Sequence, residues 1–286
     1  MTEMVQATAP TAARVSDTYR WTQLAIGVAA LAVALLGTSA WAADMATKAP
    51  PKASTAAPWT GWYLGLNAGG LWGTSQNATT VTPLPLAGLT PAAIAIINAQ
   101  GAPANIGTSG FVGGMHGGYN YQAGQWLAGL EADFESYRNQ GSLNSSVPGV
   151  LPGSTFILNS SVNTDWLLTL RPRLGFVTND WLLYSTGGLA VSRIRTAWNW
   201  SNPGGAPSIT DNGSAASTKA GWTVGGGVER MLPGRWLIGI EYLYVKFSDI
   251  SATSLAVSAL GGPINPFTHS ADLSSNIVRL RLSKAF

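Results

Sequence analysis

The chain has 286 residues, only 10% of them charged, with 34 glycines and 12 tryptophans, and its mean hydropathy is positive. A soluble domain normally carries about a quarter charged residues, so an ordinary water-surrounded fold is disfavoured. The net charge of +3 contains no basic run and no interleaving of aromatic with basic residues, which excludes nucleic acid as an expected partner. The absence of cysteine excludes disulfides, cysteine metal sites and thiol catalysis. Beyond about residue 60 no composition shift divides the chain, so one domain is expected.

In chain order, Leu24 to Leu36 is an apolar run preceded by Arg14 and Arg20 and followed by small residues ending in Ala40, Trp41 and Ala42. It is too short for a spanning helix, which needs about 20 residues. Residues 1–42 read as a secretory signal peptide cut after Ala42. Residues 43–58, rich in Ala, Pro, Lys and Thr without periodicity, read as a flexible periplasmic tether. From Trp59 the pattern becomes period two, the mark of a half-buried strand. Strand one sets Trp62, Leu64, Leu66 and Trp72 against Tyr63, Gly65 and Asn67. Thr74 to Thr108 reads as a long loop with a short apolar helix near Pro91 to Ala99, and its length suggests exposure and function.

Strand two is Gly110 to Tyr121, and strand three, Trp126 to Tyr137, places Glu131, Asp133 and Glu135 on one face. After a polar loop, Arg138 to Asn163, a hairpin runs from Trp166 to Arg195 and turns at Thr178, Asn179 and Asp180. A second loop spans Ala197 to Thr218. Strand six, Lys219 to Met231, turns at Pro233 and Gly234 into strand seven at Trp236. After the loop Asp249 to Ser270, strand eight sets Val278, Leu280, Leu282 and Phe286 against Arg279, Arg281 and Ser283.

Eight strands that alternate short turns with long loops are the pattern of an all-β, eight-stranded antiparallel up-and-down transmembrane barrel with its turns in the periplasm. Trp126, Trp181 and Trp236 each follow a short turn, where a periplasmic aromatic belt would sit. A soluble barrel with apolar residues inside explains neither those positions nor the shortage of charge. With the apolar faces turned to lipid, the inward set becomes Glu131, Asp133, Glu135, Asp165, Glu229 and Glu241 against Arg171, Arg173, Arg193, Arg195, Arg279 and Arg281. An eight-stranded barrel is only wide enough for side chains to fill it. These groups are therefore expected to form an ion network, structural or lining a narrow pore.

Several segments together resemble one family: Trp59 to Tyr63 with Gly65; Gly129 to Asp133; Thr169 to Arg171 with Arg173 to Gly175; Leu183 and Tyr184 with Gly187 to Ala190; Gly221 to Gly225 with Gly227 to Glu229; and Glu241 to Val245. The chain from Trp59 to Phe286 is similar to the small alphaproteobacterial outer-membrane barrels, labelled outer-membrane immunogenic or porin-family proteins and related to the OmpA-type membrane domain. The resemblance implies a Gram-negative outer-membrane location, a lipid surround, and loops that meet extracellular or host ligands. It also implies a last strand read by the outer-membrane assembly machinery, for which the terminal Phe286 is the signal. Lys284 departs from the aromatic that relatives place there. Members are described as surface antigens, envelope-stabilising proteins or minor porins, and some are associated with haemin binding.

Three functions compete on this reading: a structural and surface-interaction protein, a narrow passive-diffusion porin, and a lipid enzyme. A hydrolase would need a nucleophile set beside a histidine, and the only histidines are His116, on an inward face, and His269, in the last loop beside Phe267. No partner nucleophile is visible for His116, and a lone loop histidine could at most ligate haem iron. The glycine clusters at Gly113, Gly117 and Gly225 lie within strands and do not form phosphate loops. No enzyme activity, cofactor or metal is expected.

Overall fold

The computed structural model describes residues 59–83, 89–205 and 207–286. The signal peptide and tether expected from the sequence lie outside the described residues. Eight strands run β1 (Gly61–Val81), β2 (Ala104–Ala123), β3 (Trp126–Pro148), β4 (Thr155–Thr178), β5 (Trp181–Ser201), β6 (Ile209–Leu232), β7 (Trp236–Ser258) and β8 (Pro263–Ala285), with one helix, α1 (Pro91–Gln100). Each strand pairs antiparallel with its chain neighbours, and β1 closes on β8 to complete a barrel.

The closed ring satisfies every edge, which a sheet in hydrocarbon requires. At one end tight turns join β2 to β3, β4 to β5 and β6 to β7, and positive φ at Gly124, Asn179, Gly234 and Arg235 supplies the twist that short hairpins need. At the other end the connections are not the long loops expected. Most of 138–163, 197–218 and 249–270 is strand, continuing β3, β4, β5, β6, β7 and β8. The strands reach 20 to 24 residues, whereas about 9–11 cross a bilayer at barrel tilt. Roughly half of the wall therefore stands beyond the membrane.

The two halves obey opposite rules. In the lower half, the outward positions are apolar: Leu64 and Leu66 on β1, Leu130 and Phe134 on β3, Leu170 and Leu174 on β4, Leu183 and Leu189 on β5, all of them exposed. Higher up, the inward positions are apolar: Val162, Ile194, Leu243, Val245, Phe247 and Leu273 pack into a core inside the ring, while Asn199, Ser214 and Thr218 face outward. Hydrocarbon surrounds the first half and water the second, so burial drives apolar side chains out in one and in at the other.

The mouth is closed by its own strands and by α1. Phe156, Leu158, Trp200, Ile209 and Phe267 form an upper apolar layer onto which Ala93 and Ile97 of α1 pack. Thr90 caps the helix by accepting from the Ala93 N–H at 3.2 Å, and Pro91 occupies its first turn. Gln100 Nε2 then ties the helix end to the Ser145 and Phe156 carbonyls at 3.1 and 3.0 Å. At the opposite end Trp59, Tyr63, Leu127, Val177, Leu182, Met231 and Leu237 form a third apolar layer inside the barrel floor.

Candidate functional site

Between the floor and the central core lies a layer of charge. Strand register builds it: Glu131 stands opposite Arg171 and Glu241 opposite Arg279, each pair on inward positions of adjacent strands. Arg171 Nη2 donates to Glu131 Oε1 at 2.7 Å and to Asp133 Oδ2 at 2.8 Å, and its Nη1 reaches Glu241 Oε1 across the lumen at 3.3 Å. Arg173 bridges Glu131 at 3.1 Å and Glu229 at 2.9 Å. Arg279 holds Asp133 at 2.6 Å, Glu241 through Nε at 2.7 Å, and Glu135. Arg281 joins Glu131 and, at 2.8 Å, Glu241.

Neutral groups complete the layer. Tyr63 and Tyr184 donate their hydroxyls to Glu131 and Glu241 at 2.6 and 2.9 Å, and Thr169 donates to Asp133 at 2.7 Å. The Arg173 guanidinium also lies 4.6 Å from the Tyr184 ring centre. His116 faces the lumen, as its parity suggested, and pairs with the Ser283 hydroxyl at 2.7 Å. Glycine makes room for these large groups: a Cβ on Gly118 would come within 2.5 Å of the Tyr63 hydroxyl. Ions so shared are compensated many times over, which is what charges removed from water need.

Three of the charged residues assigned to the lumen are elsewhere. Arg193 and Arg195 occupy outward positions of β5, with Leu182, Tyr184, Ala190 and Ile194 on the inward ones. The strand carries them past the lipid, where a cation belongs outside. Asp165 sits in the register shift between Thr164 and Leu167, which reverses the facing of β4, and it pairs with Arg195 on the outer wall at 2.7 Å. Glu131, Asp133, Glu135, Arg171, Arg173, Glu229, Glu241, Arg279 and Arg281 are all buried inside.

On the outer wall Trp126, Trp181 and Trp236 project beside the short turns, and Trp126 meets Phe176 edge to face at 5.6 Å. Phe286 is exposed at the same end, its N–H bonded to the Trp62 carbonyl at 2.9 Å. The departing Lys284 lays its ammonium 5.4 Å from the Trp236 ring centre, the geometry of a lysine snorkelling at an interface.

His269 is not in a loop. It lies on β8, fully buried and stacked on Trp198 at 4.9 Å, with Nδ1 3.0 Å from Thr79 Oγ1. Its Nε2 meets both Ser254 Oγ at 2.9 Å and Asp211 Oδ2 at 3.0 Å. Serine, histidine and aspartate are thus together, a grouping the sequence reading missed because Asp211 and Ser254 sit in stretches that read as loop. A triad places nucleophile and carboxylate on opposite ring nitrogens; here Ser254 shares Nε2 with Asp211, and the hydroxyl opposite the carboxylate is that of Thr79, buried like His269 and Asp211.

A closed, lipid-faced antiparallel barrel with a charged interior defines an outer-membrane barrel protein. The chain belongs to the outer membrane protein beta-barrel domain family, whose model matches residues 28–260. It is 31% identical over 244 residues to the 31 kDa outer-membrane immunogenic protein of Brucella melitensis biotype 1, covering 81% of this chain and 91% of that protein. The 22 kDa outer membrane protein of Rhizobium leguminosarum bv. viciae is 29% identical over 142 residues, 50% of this chain and 55% of the relative. Among solved structures, the outer membrane protein OprG from Pseudomonas aeruginosa aligns over 79% of this chain and 97% of its own with 14% identity and a TM-score of 0.41. The family match and the Brucella relative place the protein in the Gram-negative outer membrane.

Proposed function

We propose that the protein is a sealed structural and surface protein, whose barrel anchors a rigid extracellular extension for envelope integrity and for contact with the surroundings. The observation that supports this most is the filling of the lumen: the ion layer around Arg171 is stacked between apolar layers centred on Leu182 and Phe247, with α1 packed over the top. Ions crossing such a barrel would have to part multiply bonded guanidiniums and then traverse an apolar core. Ser254, Asp211 and Thr79 hold His269 from both ring nitrogens, and the burial of Thr79, Asp211 and His269 favours an architectural role over hydrolysis. Both nitrogens of His269 are occupied, which argues against haem ligation there.

The reading is tested by single-channel recording of the refolded protein in planar bilayers. Silence from protein shown to be folded is the expected result. Steady, discrete conductance steps whose size or ion selectivity changes when Arg171 and Arg173 are replaced would establish the narrow-porin alternative instead.

A further inference from the structure

The ladder between β6 and β7 holds over residues 221–232 and 236–247 and then lapses. That is close to the length of strand that crosses a bilayer at barrel tilt, so the lapse begins where the wall leaves the lipid. From 211 to 220 on β6 and from 248 to 256 on β7 no rung joins the two strands, and pairing returns only at Thr210–Val257 and Ile209–Ser258. The register shifts between Ser136 and Gln140 and between Thr164 and Leu167, by contrast, skip only three and two residues. Both strands stay extended through the lapse because each is paired on its other side, β6 to β5 and β7 to β8. Side chains bridge the seam near its ends. Lys219 Nζ donates to the Asp249 carbonyl at 2.7 Å and Ser248 Oγ to the Ala220 carbonyl at 3.2 Å. Higher up, His269 Nε2 meets Asp211 Oδ2 of β6 at 3.0 Å and Ser254 Oγ of β7 at 2.9 Å.

β6 turns a regular set of backbone groups into this seam. The Ile209 carbonyl and the Met231 N–H bond toward β5, to Asn202 and Asp180, so odd-numbered residues face that strand, whereas the Ala220 carbonyl, bonded to Ser248, faces β7. The β5–β6 register is unbroken from 210 to 230. Asn212, Ser214, Ala216 and Thr218 therefore each aim N–H and C=O into the seam, about 6.8 Å from one to the next. An extended peptide carries the complementary donors and acceptors at that spacing. The outward side chains along the two edges, Asn212, Ser214, Ala216, Thr218, Ser251 and Thr253, are exposed, small and uncharged, so the strand that fits is neutral. On the inward side at the same height, Thr196 Oγ1, Trp198 Nε1 and Asp211 Oδ1, all on buried residues, and Ser217 Oγ have no hydrogen-bond partner among the described residues. Buried polar atoms are ordinarily paired, and hydroxyl or amide side chains on the inner face of an added strand supply what these lack.

We infer that the gap between β6 and β7 is a docking seam for an extended, uncharged peptide segment of an extracellular protein, with Ser, Thr or Asn on its inner face, which adds to the edge of β6 as a further strand. The upper part of β7, held to β6 by two rungs and the His269 bridge, swings aside to admit it. The inference rests on the contact role proposed above and gives that contact a partner class. It does not depend on a sealed lumen, so conductance and peptide binding can fail separately.

The test is fluorescence polarisation of a labelled peptide with the sequence of residues 250–257, which reproduces the strand that β6 lacks, titrated with refolded protein in detergent. The wild-type protein should bind this peptide and should not bind its fully N-methylated form, which keeps the side chains and loses the backbone donors. Ala216→Pro removes one N–H that faces the seam and leaves the β5 ladder its donors, so it should weaken binding about tenfold or more. Ala216→Ser, which keeps the N–H, should bind as the wild type does. Gel mobility of the unheated barrel shows that each variant is folded. Undiminished binding of the N-methylated peptide, or by folded Ala216→Pro, would overturn the proposal, as would no binding by the wild-type protein. Self-association of the wild-type protein that Ala216→Pro abolishes would assign the seam to a second copy of the chain and would also overturn it.

Discussion

Replacing Arg171 and Arg173 with alanine is expected to lower the unfolding temperature of the refolded barrel steeply. Each change removes one cation from a buried set and strands carboxylates that face no water: Glu131, Asp133 and Glu241 for Arg171, Glu131 and Glu229 for Arg173. Breaking a buried ion pair from one side costs about 3–5 kcal/mol. Because the two arginines share Glu131, their effects should not add. Adding Asp133→Asn to Arg171→Ala should recover part of the loss by removing a stranded charge, which a pure packing defect would not allow. By contrast, Arg193→Ala, on the outer wall, should stay within about 0.5 kcal/mol. Thermal unfolding in detergent separates these cases, and equal effects of Arg171→Ala and Arg193→Ala would contradict the assignment of one to the lumen and the other to the surface.

Trp200→Ala should act on the extracellular half alone. The Trp200 side chain is buried between Phe156, 5.2 Å away, and Phe267, 5.5 Å away, in the layer that α1 covers. Emptying such a position costs about 3–5 kcal/mol. The hydrocarbon-embedded half keeps its ladder and its ion network, so the loss should appear as local opening rather than global unfolding. Protease added outside proteoliposomes should then cut the variant within the upper parts of β4, β5 and β8 while leaving fragments protected by the bilayer. Resistance equal to that of the wild-type protein would show that the upper core does not hold the extension together.

The lower barrel was legible because its period-two pattern coincides with strong chemical contrast: Trp126, Leu130 and Phe134 against Glu131, Asp133 and Glu135, bounded by turns whose residues tolerate positive φ. The helix was legible from Pro91 and the apolar run behind it, although not its packing over the mouth. The upper wall was hidden by composition. Its outward positions are Ser, Asn, Thr and Gly, as in loops, and only an inward alternation such as Trp198 and Trp200, or Ile250 and Ala256, betrays the strand. An inward placement of Arg193 and Arg195 follows only if charge avoids the outer face at every height, a rule that ends where lipid ends. Asp165 was misplaced by a register shift that strict alternation cannot foresee.

The wall continues beyond the membrane-spanning length of its strands with its apolar side inward. The chain has no cysteine, so single-cysteine variants report position without background. In intact cells treated with a membrane-impermeant maleimide, Asn199→Cys should be labelled and Leu189→Cys protected by lipid. Trp198→Cys, one residue from Asn199 but facing the core, should be protected while the protein is folded. Alternation between 198 and 199 is the predicted result. Equal labelling of the two would mean that this segment is an open loop, and the extracellular extension would have to be abandoned.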